Sequence, residues 1–110
     1  MAIEYRILFH KDNVILAENK NDYIVGINYD ETQPKGSQWE HGLYFSKTVE
    51  GLASALETFR IRTEENYITR SRLEELATQF KDCVLEDDDM DGVIAYMDDY
   101  EIEFFGLENV

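Results

Sequence analysis

Asp87-Asp88-Asp89-Met90-Asp91-Gly92, followed by five residues and Asp98, has the spacing of a calcium-binding loop. A hard cation takes oxygen ligands, and the pattern sets Asp87, Asp89 and Asp91 at the first three side-chain ligand positions. Gly92 falls at the sharp turn, Ile94 at the apolar position, and Asp98 where a bidentate Glu usually closes the loop. A helix is expected before the loop, as the motif requires. Against the motif, the water-bridging position is Ala95, an Asp closes the loop less readily, and no second hand pairs with it. The same letters also describe an acidic helix N-terminus, with Asp88 or Asp89 as the N-cap and the neighbouring acids at the positive end of the helix dipole.

Other reactive types do not converge. His10 and His41 are the two histidines, and neither stands at a recognisable spacing from Cys83 or from an acid. Cys83 lies among acids, which disfavours its thiolate and hence a nucleophilic role. As the lone cysteine it forms no internal disulfide and no cysteine-based zinc site. Ser71 opens a capping box, and no glycine-rich phosphate loop or Ser/His/Asp signature is present. The chain is therefore expected not to be an enzyme.

Charge is the stronger signal. The 110 residues hold 24 acids and 10 bases, a net charge of −14. Residues 1–81 carry 13 of the acids and all ten bases, net −3, whereas residues 82–110 carry 11 acids and no Lys or Arg, net −11. Such a field repels phosphate backbones and anionic lipid and attracts basic surfaces within a Debye length of about 8–10 Å. Direct nucleic-acid binding is disfavoured, because that affinity comes from Lys and Arg neutralising phosphates.

The elements that must carry these acids can be read from periodicity. Ile3 to Phe9 alternates, His10-Lys11-Asp12-Asn13 reads as a hairpin turn, and Val14 to Ala17 returns. Tyr23 to Tyr29 is a third strand, in which Gly26 marks a bulge or a close backbone approach. A loop containing Pro34 and Gly36 leads to a fourth strand, Trp39 to Phe45. The connections are too short for crossover helices, so the strands form an antiparallel meander. Phe45 is expected in the core, and Trp39 either there or at an interface.

After Phe45 the period changes. Ser46 or Thr48 caps a helix carrying Val49, Leu52, Leu56 and Phe59 and ending near Arg62. Ser71-Arg72-Leu73-Glu74 starts a second helix with Leu73, Leu76, Ala77 and Phe80 on one stripe. Met90, Val93, Ile94 and Met97 form the stripe of a third, and Tyr100 to Phe105 reads as a further short helix. The expected fold is α+β: one domain over 1–110, with a four-stranded antiparallel sheet in 1–45 and, in 46–110, three helices packed on one face and an acidic C-terminal segment. With 44% hydrophobic residues the chain can bury a core. The lack of a secretion-type start and of a long apolar run points to the cytoplasm.

Asn21-Asp22-Tyr23-Ile24-Val25-Gly26 through Trp39 to Phe45, together with Ser71 to Asp82, resembles short proteins of Gram-positive phages and conjugative elements. The resemblance covers about half the chain and concerns fold more than chemistry, so it supplies no catalytic residues. It implies a mobile-element setting, where small acidic proteins act as anti-CRISPR or anti-restriction inhibitors that mimic DNA. Charge and setting together point to a non-enzymatic inhibitor of a basic nuclease or CRISPR effector. The partner-binding set is Asp82, Glu86, Asp87, Asp88, Asp89, Asp91, Asp98, Asp99 and Glu101, with no cofactor. The alternatives are a calcium module built on Asp87, Asp89, Asp91 and Asp98, and an immunity protein against a nuclease toxin.

Overall fold

The computed structural model describes residues 5–34, 37–65, 67–81 and 94–105. Four strands run in the order in which they occur: β1 (Arg6–Lys11), β2 (Val14–Glu18), β3 (Asp22–Ile27) and β4 (Glu40–Ser46). Every neighbouring pair is antiparallel, with Phe9 opposite Leu16, Leu16 opposite Val25, and Val25 opposite Leu43. The described helices are α1 (Val49–Arg62), α2 (Arg70–Gln79) and α3 (Asp99–Phe104). The class is α+β, with a four-stranded antiparallel sheet and three helices among the described residues.

Local chemistry fixes most boundaries. Asp12 adopts a left-handed φ of 54° and closes the β1–β2 hairpin, a conformation that Asp tolerates better than most side chains. Thr48 caps α1, its hydroxyl accepting the Gly51 N–H at 2.9 Å. The cap of α2 is Thr69 rather than the expected Ser71: its hydroxyl accepts the Arg72 N–H at 3.2 Å, and Ser71 falls inside the first turn. The expected third helix over 90–97 lies mostly outside the described residues. Its last part, 94–97, closes as a turn with the Met97 N–H on the Ile94 carbonyl. The short C-terminal helix is present as α3, opened by a reciprocal capping box between Asp98 and Glu101.

Alternation divides the sheet into two faces. Phe9, Val14, Leu16, Tyr23 and Val25 join one core with Leu52, Leu56 and Phe59 of α1 and Leu73, Leu76 and Ala77 of α2. Phe80, Met97, Phe104 and Phe105 belong to the same core. Phe9 meets both Phe80 and Phe105 at ring separations of 4.9 Å, and Phe104 stands edge-on to Phe59 at 5.7 Å. These aromatic contacts place β1, α1 and α3 around a single centre. Phe45 is half-buried against that core.

Ile15, Ala17 and Ile24 are also buried, although they alternate to the other face. Trp39 covers part of this side, with Tyr5 edge-on to its ring at 4.6 Å. Gly26 permits the contact: a Cβ there would lie 2.6 Å from Trp39 Cγ. The pairing of β3 with β4 also shifts register between Val25 and Ile27, so Gly26 serves both the bulge and the close approach.

Gly26→Ala is therefore expected to destabilise the fold by about 1–3 kcal/mol through overpacking. In a Trp39→Ala background the same substitution should cost much less. Urea unfolding of the two single variants and the double variant measures the difference, and equal costs in both backgrounds would refute the contact as the cause.

Candidate functional site

The acids selected from sequence separate into three groups. Asp82, Glu86, Asp87, Asp88, Asp89 and Asp91 lie outside the described residues, and with them three of the four candidate calcium ligands. Asp98 and Asp99 are exposed at the start of α3, and Asp98 spends one oxygen on the Glu101 N–H at 2.8 Å. Glu101, expected in the partner-binding set, is not free to meet a partner. It is 3% exposed, and both its oxygens accept from the Arg72 guanidinium, at 2.6 and 2.8 Å. The helix period explains this reversal: Glu101, Phe104 and Phe105 share the inward side of α3, so a carboxylate there needs an internal partner.

Arg72 is placed for that task by α2. Its guanidinium also donates to Glu75 Oε2 at 3.0 Å and to the Tyr96 carbonyl at 3.1 Å, and lies 4.9 Å from the Tyr96 ring centre. The bond from Arg72 holds the Glu101 carboxyl below its ordinary value, against the upward push of burial, and Glu101 in return raises Arg72. The other arginines are engaged elsewhere. Arg70 pairs with Glu57 and Glu74, Arg60 donates to the Ile68 carbonyl, and Arg62 donates to the carbonyls of Val25 and His41. Among the described acids after residue 81, Glu101 alone makes an ion pair with a described base.

A second constellation, not selected from sequence, joins the α1–α2 connection to α3. Glu65 is buried and accepts three bonds: from the Tyr67 N–H at 2.6 Å, the Ile68 N–H at 3.1 Å and the Tyr100 hydroxyl at 2.6 Å. Burial raises its carboxyl, but these donors and the Arg60 charge outweigh that and leave it lowered. The bond to Glu65, with some desolvation, pushes the Tyr100 phenol up to about 12, so it stays a donor at neutral pH. Tyr67 stands edge-on to Tyr100 at 5.7 Å and is 83% exposed. The only sequence signal for this group was an aromatic, Tyr67, set in a polar interhelical stretch with no apolar period around it.

Glu64 sits beside this group in a left-handed conformation, φ 61°. It follows the end of α1, where its N–H bonds the Ile61 carbonyl at 3.0 Å and the Glu65 N–H bonds the Arg60 carbonyl at 3.1 Å. This is the Schellman arrangement, whose left-handed position is usually glycine. Glu64, Glu65, Glu103 and Tyr100 line a cleft of about 240 Å³ together with Lys11 and Phe104. The Lys11 ammonium lies 5.3 Å from the Phe104 ring centre.

The histidines have local roles. His10 bonds the Asp12 carbonyl at 2.8 Å through Nε2 and meets the Tyr29 ring at 4.9 Å, while His41 is exposed at a left-handed position in β4. Among the described residues no three His, Cys, Asp or Glu side chains are grouped to hold a metal ion. No described helix is long and apolar enough to cross a membrane.

Removing one partner of the Arg72–Glu101 pair strands a buried charge, so Arg72→Met should destabilise by about 3–5 kcal/mol. Arg72→Met combined with Glu101→Leu should recover much of that loss. Because the folded-state value of Glu101 is lowered, its contribution is present above the unfolded carboxylate range near pH 4.5 and disappears as pH falls through the folded value. Thermal unfolding between about pH 3 and 7 should show wild type and Glu101→Gln converging on acidification. A constant gap between them would remove the electrostatic explanation.

The chain matches no protein-family model, and comparisons with curated proteins and with solved structures found no match.

Proposed function

We propose that this protein is a non-enzymatic inhibitor that binds the basic surface of a nucleic-acid-handling protein, such as a nuclease or a CRISPR effector. The observation that carries the reading is the net −11 of residues 82–110, which contain no Lys or Arg. The described pairs support it. Among the described residues, Arg6, Lys47, Arg60, Arg62 and Arg70 are engaged with acids and carbonyls of that same stretch, and Glu101 is the one described acid after residue 81 that pairs with a described base, Arg72. Asp98 and Asp99 stay exposed at the start of α3. Carboxylates spaced along such a segment can stand where DNA phosphates would sit in a basic channel, and they gain affinity by the same release of counterions.

In this reading the helices gather on the face of the sheet that carries Leu16, Tyr23 and Val25, and they serve as a rigid mount for the acids. Asp82, Glu86, Asp87, Asp88, Asp89, Asp91, Asp98 and Asp99 form the contact set, and Glu101 holds the mount together. The resemblance to phage and conjugative-element proteins gives a setting in which counter-defence is the purpose of such a surface, and the cytoplasm is where its targets work.

Co-elution with purified nucleases that have basic DNA channels, including an RNA-guided effector, tests the proposal at low and at high salt. Binding is expected at low salt, with affinity falling at least tenfold at high salt. The combined variant Asp87→Asn, Asp88→Asn, Asp89→Asn, Asp91→Asn should lose binding while keeping its fold. Binding that ignores both salt and these substitutions, or no binding to any such nuclease, refutes it.

A further inference from the structure

The exposed pair Tyr67 and Tyr100 is held in place before any partner arrives. Glu65 fixes the Tyr100 ring through its hydroxyl at 2.6 Å and the backbone of Tyr67 through its N–H at 2.6 Å. A residue from the α1–α2 connection and one from α3 are thereby locked edge to face, 35 positions apart in the case of the Glu65–Tyr100 bond. Tyr67 is 83% exposed and Tyr100 44% exposed, so neither ring is fixed in place to fill the core. Rigid, amphipathic aromatics that lose little entropy on contact are the common anchors of protein interfaces.

The surroundings select the occupant. The cleft beside Tyr100 presents Glu64, Glu65 and Glu103 against one lining cation, Lys11. Glu64 is set where two local effects oppose it. A side chain at φ 61° is strained relative to glycine, and an acid at a helix C-terminus meets the negative end of the dipole. Fold stability alone would place glycine there. Exposed aromatic faces beside carboxylates suit a planar cation that can stack on a ring and fork to an acid at once, which a guanidinium does and an ammonium does not.

We infer that Tyr67 and Tyr100, with Glu64 and Glu103 beside them, form a docking point for an arginine side chain of a basic protein partner. The inference rests on the proposal that the partner is a basic protein, and it adds a contact separate from residues 82–91. Charge complementarity names the occupant: the patch is acidic in a chain of net charge −14, so a second copy of the chain would be repelled.

Oligoarginine and oligolysine peptides of equal length, titrated into the full chain and followed by NMR of the tyrosine ring protons, test this without the macromolecular partner. Oligoarginine should shift Tyr67 and Tyr100 and bind about fivefold or more tightly than oligolysine. Tyr67→Ala should remove that preference. Glu64→Gly should weaken oligoarginine binding while raising the melting temperature, a combination that damage to the fold cannot produce. Tyr100→Phe keeps the ring but frees it from Glu65, and should weaken binding less than Tyr67→Ala. The preference should persist when Asp87, Asp88, Asp89 and Asp91 are changed to Asn. Equal binding of both peptides, or binding lost with those aspartates and untouched by Tyr67→Ala, overturns the docking point and leaves the acidic-inhibitor proposal standing. Failure to bind any basic nuclease, with the arginine preference intact at the tyrosines, removes that proposal and not this site.

Discussion

The buried bond between Arg72 and Glu101 is the contact on which the C-terminal part of the structure depends. An acid 3% exposed would be intolerable in a chain already carrying −14 unless a cation met it with matched geometry. The guanidinium meets it with two N–H groups and uses its remaining reach on the Tyr96 carbonyl and Glu75. Glu101 also accepts the Asp98 N–H at 3.1 Å and so takes part in starting its own helix. One ion pair thus joins α2, the turn before α3 and the cap of α3. Phe104 and Phe105 follow on the same inward side and enter the core beside Phe59 and Phe9.

The same economy of cations governs the rest of the chain. Glu18 gathers Arg6 and Lys47, and these bonds outweigh the burial that would raise its carboxyl. Lys47 also lies over the Tyr23 ring, which ties the β4–α1 junction to the sheet. Arg62 spends its donors on the carbonyls of Val25 and His41, next to the register shift that Gly26 allows. The cations thus satisfy groups that folding would otherwise leave bare. Among the described residues, Arg72 is the one base that forms an ion pair with a described acid beyond residue 81.

How much of this could be read from sequence depended on the range of the interaction. The meander was legible because each strand alternates and each connection is short. Val49 to Arg62 was legible because its cap and its apolar stripe agree. The start of α2 was misplaced by two residues. Ser71 and Glu74 satisfy a capping pattern, but the chain just before it is already fixed by Glu65 accepting the Tyr67 and Ile68 N–H groups and by Arg60 donating to the Ile68 carbonyl. Thr69 is therefore the first residue free to turn the chain into the helix. Glu101 was misplaced for a similar reason: its partner is 29 residues away, and no local pattern distinguishes a paired acid from a solvated one. The tyrosine pair was missed because Glu65, which organises it, reads in sequence as one more surface carboxylate. Asp82, Glu86, Asp87, Asp88, Asp89 and Asp91 were chosen on charge, three of them also on calcium-loop spacing, and they lie outside the described residues.

An acidic segment of this kind is compatible with a stable fold because its opposing energies differ in scale. Fully burying a Phe or Met side chain contributes about 1.5–3 kcal/mol, and Met97, Phe104 and Phe105 are all buried. Repulsion between two exposed carboxylates is smaller, of the same order as the ~0–1 kcal/mol of an exposed ion pair, and salt screens it further. Three apolar anchors and one buried ion pair can therefore hold residues 94–105 against the mutual repulsion of the exposed Asp98, Asp99 and Glu103. The inward residues decide whether the segment folds, and the outward residues are left free to decide what it meets. Asp98 and Glu101 serve the fold through the α3 cap and the pair with Arg72, whereas Asp99 is exposed and makes no ion pair with a described base. The proposed basic partner would give such outward acids a role that the described contacts of the fold do not.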